Sequence, residues 1–544
     1  MGTTEAVARF AGLLRSLKKR SGRSYEDLSR RALASRSALH RYCSGQVVPP
    51  DVETVTRIAD ACGADAREKR ELIAAWLAAS QERQAVPETP APPPAEAARP
   101  VPPPRSPPDP PIVPAPSRRP VLAAAAAFCA VAIASSSSAP AVPARAGPSA
   151  IPGEIWTSHP KKVDPRLFGV TVNSDTGLMP TFKVGSVRFW DSGTRWASLE
   201  RRRGEYDWTV LDRQIEAAGR NGLDKLFVLG GTPAWAAPEA PTTAYPDGSR
   251  TSPPDDPRDW DRFVTALAER YRGRIDAYEL WVMGNDRRFF TGTPEQLVDM
   301  TRRAAQAIRR IDGKATVLCP GMGRLWEPSG QRLLQRFARL GGYRYCDAAS
   351  VKLHQRDAAD PPETMLKPLR NVDLIMHAAG VHLHLWSTGT THELALQGSL
   401  DEAKAARYAM RYYLTGLVGR ELYLRRMYFY NWGSTRIPIV LQEAGTAPTK
   451  AALAVERLQG WLAGASVRAC GHGIPAGLPQ NAWQCAFTLP GKGGAVIRWT
   501  DTGRAVTTAP PGSSGLERMD GTAEPLRAGD PVTVSEDPVL IKHA

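Results

Sequence analysis

The chain has 544 residues, 42% apolar and 23% charged, with a formal net charge of +15 at pH 7. That is ordinary globular composition with room for roughly three domains at ~100–200 residues each, and it excludes collagen-like, wholly disordered and multi-span membrane classes. Arginine outnumbers lysine 56 to 14, so the global charge by itself is weak evidence for a nucleic-acid partner. Seven cysteines are too few for a disulfide scaffold, and no C-x-x-C or His/Cys cluster has metal-ligand spacing, so neither a metal nor a cofactor is expected. Residues 1–80 are charged throughout, which argues against a signal peptide.

Residues 1–83 read as a helical domain. Phe10, Leu13, Leu14 and Leu17 recur at helix spacing. Ser24 suits the cap of a second helix carrying Leu28 and Ala32. After a break at Leu33-Ala34, Ser35 caps a third helix to about Cys43, which Gly45 ends. Further helices at about 51–61 and 65–79 turn Val55, Ile58, Leu72 and Trp76 inward. Two short helices across a tight turn, the second opening S-R-S-A-L-H-R, form a helix-turn-helix layout. Its second helix would enter the major groove by its N-terminal end. Arg36, Ser37, His40 and Arg41 then face outward, and Leu39 and Tyr42 face the core. Residues 1–41 hold ten Lys/Arg against three Asp/Glu, a local excess suited to phosphate contacts. The alternative is a small bundle for protein contacts, with these charges as a solvated face. The run YEDLSRRALASRSALHRYCSGQVVPPDVETVTRIADACG, residues 25–63, resembles the Cro/repressor helix-turn-helix domain. That resemblance implies duplex DNA as partner, contacted through Arg36, Ser37, His40 and Arg41.

Residues 84–118 form a Pro-rich linker, with 16 prolines between 87 and 120. So few apolar side chains cannot build a core, and an extended polyproline II course is expected. Arg118-Arg119 then precede 25 uncharged residues, Pro120 to Ala144. The stretch VLAAAAAFCAVAIASSSSA (121–139) just reaches the ~20 residues of a bilayer span. A single transmembrane helix is therefore expected over 119–142. The paired arginines place the N-terminus in the cytoplasm and the residues after the span outside it. The alternatives are an Ala-rich extension of the linker, or a signal-like segment cleaved near Ala139–Ala146.

From about Pro152, strand-like runs alternate with amphipathic helical stretches. The expected strands are 167–173, 185–190, 225–231, 277–283, 315–321, 347–354, 381–387 and 426–432, with helices such as 210–222 and 260–273 between them. Eight such alternations fit a closed (β/α)8 TIM barrel over 150–465. An open doubly wound sheet is the alternative, but no Gly-rich phosphate loop follows the first strand. Residues 466–544, short strands between Gly/Pro turns, read as a small C-terminal β domain.

VGSVRFWDSGTRWASLERRRGEYDWTVLDRQIEAAGRNGLDKLFVLGGTPAWA, near 185–235, resembles the second and third strands of clan A glycoside hydrolases, especially β-xylosidase and α-iduronidase relatives. YELWVMGND (278–286) falls where that clan has its W-N-E-P motif, and LWSTGTTHE (385–393) where it has T-E-x-G. MYFYNWG (427–433) matches the eighth strand. The resemblance implies a sugar cleft served by two glutamates. Retaining glycosidases hold two carboxyl groups ~5–5.5 Å apart, one protonating the leaving oxygen and one attacking the sugar. Here Met283 stands at the acid/base position and Gly389 at the nucleophile position. With both positions degenerate, no catalytic residue is assigned. Glu279 is expected to pair with Arg188 in the barrel floor, and Asp286 with Glu393 is the alternative carboxylate pair. A carbohydrate platform is expected from Trp190, Trp235, Trp281, Trp386, Tyr430 and Trp432, with Asn285, Asp286 and His354 as its polar rim.

Cys470 and Cys485 flank a Gly/Pro loop and suit a disulfide if the domain lies outside the cell. Cys319 and Cys346 fall at opposite ends of neighbouring strands and are left unpaired. The resulting expectation is a membrane-anchored DNA-binding regulator with an external, catalytically inactive sugar-binding barrel. The alternative is an active glycosidase fused to a regulatory DNA-binding domain.

Overall fold

The protein is described by a computed structural model covering residues 5–32, 34, 36–49, 52–84, 155–389, 392–435 and 437–543. The N-terminal part consists of helices α1 (Glu5–Ser21), α2 (Tyr25–Ala32), α3 (Arg36–Ser44), α4 (Val52–Ala61) and α5 (Ala66–Gln84). The Ser24 hydroxyl accepts the Asp27 backbone N–H at 3.1 Å and so satisfies one of the free donors that open α2. Gly45, at φ 76°, ends α3 in the left-handed region, where a side chain would be strained. Leu14, Leu28, Leu39, Val55, Ile58, Leu72 and Trp76 are buried together. The Trp76 indole also donates to the Pro49 carbonyl at 2.8 Å.

The expected transmembrane helix, and the single-pass membrane localisation built on it, are corrected. Among the described residues no helix is long and apolar enough to cross a membrane. Residues 119–142 lie outside the described residues, as does the linker beyond Gln84. The reason is physical as well as positional. Alanine and serine contribute little transfer free energy, so a run of the right length is not thereby a span.

The expected barrel is present. With β1 (Trp156–Lys162) preceding it, strands β2 (Phe168–Val172), β3 (Ser186–Phe189), β4 (Asp224–Val228), β5 (Ala277–Glu279), β6 (Thr316–Leu318), β7 (Ala348–Val351), β8 (His384–Ser387) and β9 (Leu424–Trp432) close on one another in chain order. All neighbours are parallel, with β9 returning to β2. Helices such as α7 (Thr209–Arg220), α8 (Pro257–Arg270) and α9 (Pro294–Ile311) lie between them in sequence; here α6 is Trp196–Leu199. Each of α7 to α9 buries one apolar stripe, as with Trp260, Phe263, Val264 and Leu267 of α8. Trp386 and Tyr428 plug the barrel interior beside Leu226, Ala277, Leu318 and Ala348.

A seven-stranded sheet accompanies the barrel. Five C-terminal strands and the short strand Ala523–Pro525 join β1, contributed from before the barrel, at its edge. Trp499 and Arg411 both bond to the buried Glu363 carboxylate and so tie the sheet to the barrel helices. Among the described residues two disulfides are formed. Cys470–Cys485 joins residues directly opposite on the paired strands Ser466–His472 and Ala482–Thr488. Cys319–Cys346 is also bonded, with Cα atoms 5.4 Å apart, which corrects the expectation that it would not pair. The stagger of a barrel explains it. Leu318, the last residue of β6, pairs with Ala348, the first of β7, so the end of one strand meets the start of the next.

Candidate functional site

Parallel strands followed by helices put every βα loop at one end of the barrel, and sites form there. A cavity of about 450 Å3 opens at that end. Thr171, Arg188, Trp190, Asp191, Arg195, Tyr245, Met283, Phe289, Lys352, Thr388, Gly389 and Tyr430 are among its lining residues. They come from the ends of β2, β3, β7, β8 and β9, from the loops after β3 and β5, and from the loop after β4. That loop is fastened to the wall. The Trp190 indole donates to the Tyr245 hydroxyl at 2.8 Å. Arg195 lies 3.8 Å from the Tyr245 ring centroid and donates to Asp247, a cation–π contact reinforced by an ion pair.

The floor is ionic. Glu279, wholly buried at the end of β5, accepts Arg188 Nε at 2.8 Å and Lys352 Nζ at 2.6 Å. The expected Glu279–Arg188 pair is therefore present, with Lys352 as a third member. Ser350 and Thr388 hydroxyls also bond to Glu279 Oε1, at 2.9 and 3.2 Å. Gly321 allows this packing, since a Cβ there would lie 2.5 Å from Glu279 Oε1 and closer still to the Val282 carbonyl. Burial, then the adjacent Arg188 charge, pulls the Lys352 ammonium down to about 7. Burial pushes the Asp191 carboxyl up. Arg188 and Lys352 keep Glu279 below the usual carboxylate range despite its burial.

Trp190, Met283, Gly389 and Tyr430 thus meet at one cavity. The other expected ligand residues lie elsewhere. Trp281 is wholly buried against Trp260 and Phe290 and donates to the Phe289 carbonyl. Trp432 is buried and donates to Gln442. Trp235 packs edge-on to Trp196 and donates to the Glu200 carbonyl. Trp386 carries the Arg426 guanidinium on its face, 3.8 Å from the ring centroid, inside the barrel. Asn285 clasps the backbone of Gly323 and Gly330. Asp286 accepts the backbone and guanidinium of Arg288. His354 Nδ1 contacts the Gln355 carbonyl. The Glu393 side chain lies outside the described residues. Asp191 is the one carboxylate lining the cavity among the described residues.

In the N-terminal domain Arg36, His40 and Arg41 are exposed on α3, whereas Leu39 and Tyr42 are buried. The Ser37 side chain lies outside the described residues. Sequence reasoning missed Thr171, Asp191, Arg195, Tyr245 and Lys352. The available signal for Lys352 was a lysine inside the otherwise apolar strand run 347–354, a position where buried cations need partners.

Comparison with known proteins agrees with this division. Residues 9–72 match a family model described as a helix-turn-helix domain. The rest resembles solved barrels. A family 39 glycoside hydrolase from Bacteroides cellulosilyticus WH2 superposes with TM-score 0.53 at 16% identity, covering 71% of this chain and 83% of that one. A monomeric β-xylosidase from Caulobacter crescentus CB15 gives 0.52 at 14%, covering 71% and 97%. The family 39 enzyme from Xanthomonas axonopodis pv. citri gives 0.51 at 16%, covering 71% and 95%. At these identities the likeness is one of fold. No curated protein sequence matches the chain. The chain joins a helix-turn-helix domain to a barrel with the fold of these glycoside hydrolases.

Proposed function

We propose that the chain is a DNA-binding regulator whose barrel binds a carbohydrate at its mouth and does not hydrolyse it by the two-carboxylate route. The observation that carries this reading is one cavity with Met283 and Gly389 on its wall. A thioether cannot donate a proton to a leaving oxygen, and glycine has no atom with which to attack a sugar. The cavity keeps what a sugar needs. Trp190, Tyr245 and Tyr430 line it with aromatic rings, while Asp191, Arg195 and Asn173 line it with polar groups. Arg36, Ser37, His40 and Arg41, spread along α3 from its first residue to its last turn, are the base-contacting set for duplex DNA.

The full chain should be screened on activated aryl glycosides and on a glycan array, with DNA binding measured with and without each bound glycan. Binding without turnover supports the reading. Robust turnover abolished by Asp191→Asn or Asp286→Asn would overturn it in favour of an active glycosidase with an atypical carboxylate pair.

A further inference from the structure

Lys352 follows directly on β7, at the strand end that opens on the cavity, and it lines that cavity. Its side chain is only 2% exposed. The carboxylate beside it does not require it. Glu279 Oε2 is held by Arg188, and Oε1 by the Ser350 and Thr388 hydroxyls. The charge and hydrogen bonding of Glu279 are thus met before the lysine is counted, and a second buried cation costs more than an apolar side chain of similar length. Its position is nonetheless fixed. The Lys352 backbone N–H donates to the Met322 carbonyl at 2.9 Å. Gly321 makes room for the stem, since a Cβ there would lie 3.0 Å from Lys352 Cε. Nζ bonds to Glu279 Oε1 and to the hydroxyl and carbonyl of Thr388.

A lysine held in this way at a cavity wall is a nucleophile once it is neutral. As an amine it has two N–H bonds, one for Glu279 and one shared by the two Thr388 oxygens, and its lone pair remains. Burial and the Arg188 charge favour that form, pulling the ammonium down to about 7. Asp191 is shifted in the same sense, towards its uncharged form. Burial there outweighs the pull of Arg195, whose Nη1 lies 3.5 Å away. The Asp191 side chain keeps 27% exposure on the cavity wall, and its charge and that of Lys352 act on each other. An amine and a carboxylic acid facing one cavity are the pair that imine formation uses.

Going beyond the carbohydrate reading and independently of it, we propose that the cavity takes a small hydroxylated aldehyde or ketone, and that Lys352 Nζ forms an imine with its carbonyl carbon. The Nζ lone pair attacks that carbon as the C=O π pair moves onto oxygen, and the oxygen takes the Asp191 proton. The nitrogen then gives a proton to the Asp191 carboxylate, which passes it to the new hydroxyl, and water departs as the C=N bond forms. One water is released, and nothing is oxidised or reduced. Arg188 Nη2 has no partner among the described residues and shares Glu279 with Lys352, so it is the donor for a ligand hydroxyl beside the carbonyl.

The test is reductive trapping of the folded full chain with glycolaldehyde and cyanoborohydride, read by peptide mass spectrometry. Cyanoborohydride supplies the hydride that turns the imine into a stable secondary amine. At neutral pH Lys352 is expected to be alkylated at least tenfold faster than Lys450, which is 70% exposed, and its rate should saturate with glycolaldehyde. The Lys352 rate should level off above about pH 7, whereas an exposed lysine keeps climbing towards its ordinary value of about 10.4. Asp191→Asn should slow the reaction at Lys352 several-fold and leave Lys450 unchanged. Acetaldehyde, which lacks the hydroxyl, should react with Lys352 more slowly than glycolaldehyde. Lys352 left unmodified in the folded chain, modified only in denaturant, or modified no faster than Lys450 overturns the inference and leaves the carbohydrate reading standing. Trapping indifferent to Asp191→Asn overturns the part given to the acid, and equal trapping of acetaldehyde overturns the preference for a hydroxylated ligand.

Discussion

Arg188 Nε donates to Glu279 Oε2 across 2.8 Å, and neither side chain has appreciable access to solvent. Lys352 occupies the other oxygen of the same carboxylate. The three side chains leave three different strand ends, so the triad pins one side of the barrel mouth. Removing its anion strands the buried Arg188 guanidinium, and the Lys352 ammonium wherever it is protonated. Glu279→Gln is expected to lower stability by about 3–5 kcal/mol, the usual loss when a buried ion pair is broken from one side. Denaturant unfolding of the full chain measures it. A loss below ~1 kcal/mol would mean that the floor carries no such charge pairing.

The triad also sets a pH dependence. Lys352 is depressed to about 7 from 10.5 by burial and by Arg188, against the pull of Glu279 and Asp191. Between those two values the unfolded chain holds the proton and the folded chain does not. Stability from this group therefore rises with pH from about 7 towards 10.5, and the penalty of burying the ammonium is complete below about 7. Lys352→Met should flatten that portion of the stability–pH curve relative to the parent. Parallel curves for the two proteins from neutral to alkaline pH would contradict the assignment.

The barrel was legible because its strands are short apolar runs bounded by turn residues, with amphipathic helices between. Every expected strand, from 167–173 to 426–432, overlaps an observed one. The site was less legible, since sequence places a residue on a strand but not at a height within the barrel. Trp386 and Trp190 both sit at strand ends in the sequence reading, yet one plugs the interior and the other lines the mouth. Tyr245 and Asp247 reach the wall only through the fold of a long loop, which no periodicity announces. Cys319 and Cys346 were misjudged for the same reason, because the stagger between β6 and β7 is a property of closure.

On the N-terminal domain, Arg36 and Arg41 are exposed on α3 while the opposite face is locked by Leu39 and Tyr42. Arg36→Ala or Arg41→Ala should cost about 1–3 kcal/mol of DNA affinity where the arginine reads a base edge. A phosphate contact would instead lower affinity evenly across sequences and reduce the salt dependence. Electrophoretic or fluorescence titration across a salt series separates the two. Complete absence of DNA affinity at low salt would remove the regulator reading.

The two disulfides close loops of different reach, with partners 27 and 15 residues apart in sequence. Chain-entropy arguments give each about 2–4 kcal/mol. Cys319→Ser with Cys346→Ser should therefore lower the melting temperature of the full chain, as should the matching double substitution at Cys470 and Cys485. Cys43 and Cys62 of the helical domain carry free, buried thiols, so thiol titration of the unfolded, unreduced protein should leave Cys319, Cys346, Cys470 and Cys485 unlabelled. Their labelling would show that the bridges do not form.

Met283 and Gly389 occupy one cavity wall. If hydrolysis is absent because both carboxylates are missing, restoring one should restore only its half of the reaction. Met283→Glu places an acid on the cavity wall, but no group then attacks the sugar. Gly389→Glu is the harder repair, because Gly389 sits at φ 124°, a region that residues with side chains rarely adopt. A small external nucleophile needs no such backbone. Among the described residues a Cβ on Gly389 would meet nothing nearer than the Thr171 hydroxyl, at 3.9 Å. Met283→Glu supplied with formate or azide should therefore release the phenol from an activated aryl glycoside. The carbon–oxygen bond to the phenol breaks as the anion bonds to the anomeric carbon, and the introduced acid protonates a leaving group that needs it. The azide product should be a stable glycosyl azide, visible by mass spectrometry, and its rate should rise with azide concentration. On an unactivated aryl glycoside, whose leaving oxygen must be protonated, the parent chain should show neither product. Hydrolysis by the parent, or azide-independent turnover by Met283→Glu, would place the working nucleophile elsewhere on the chain.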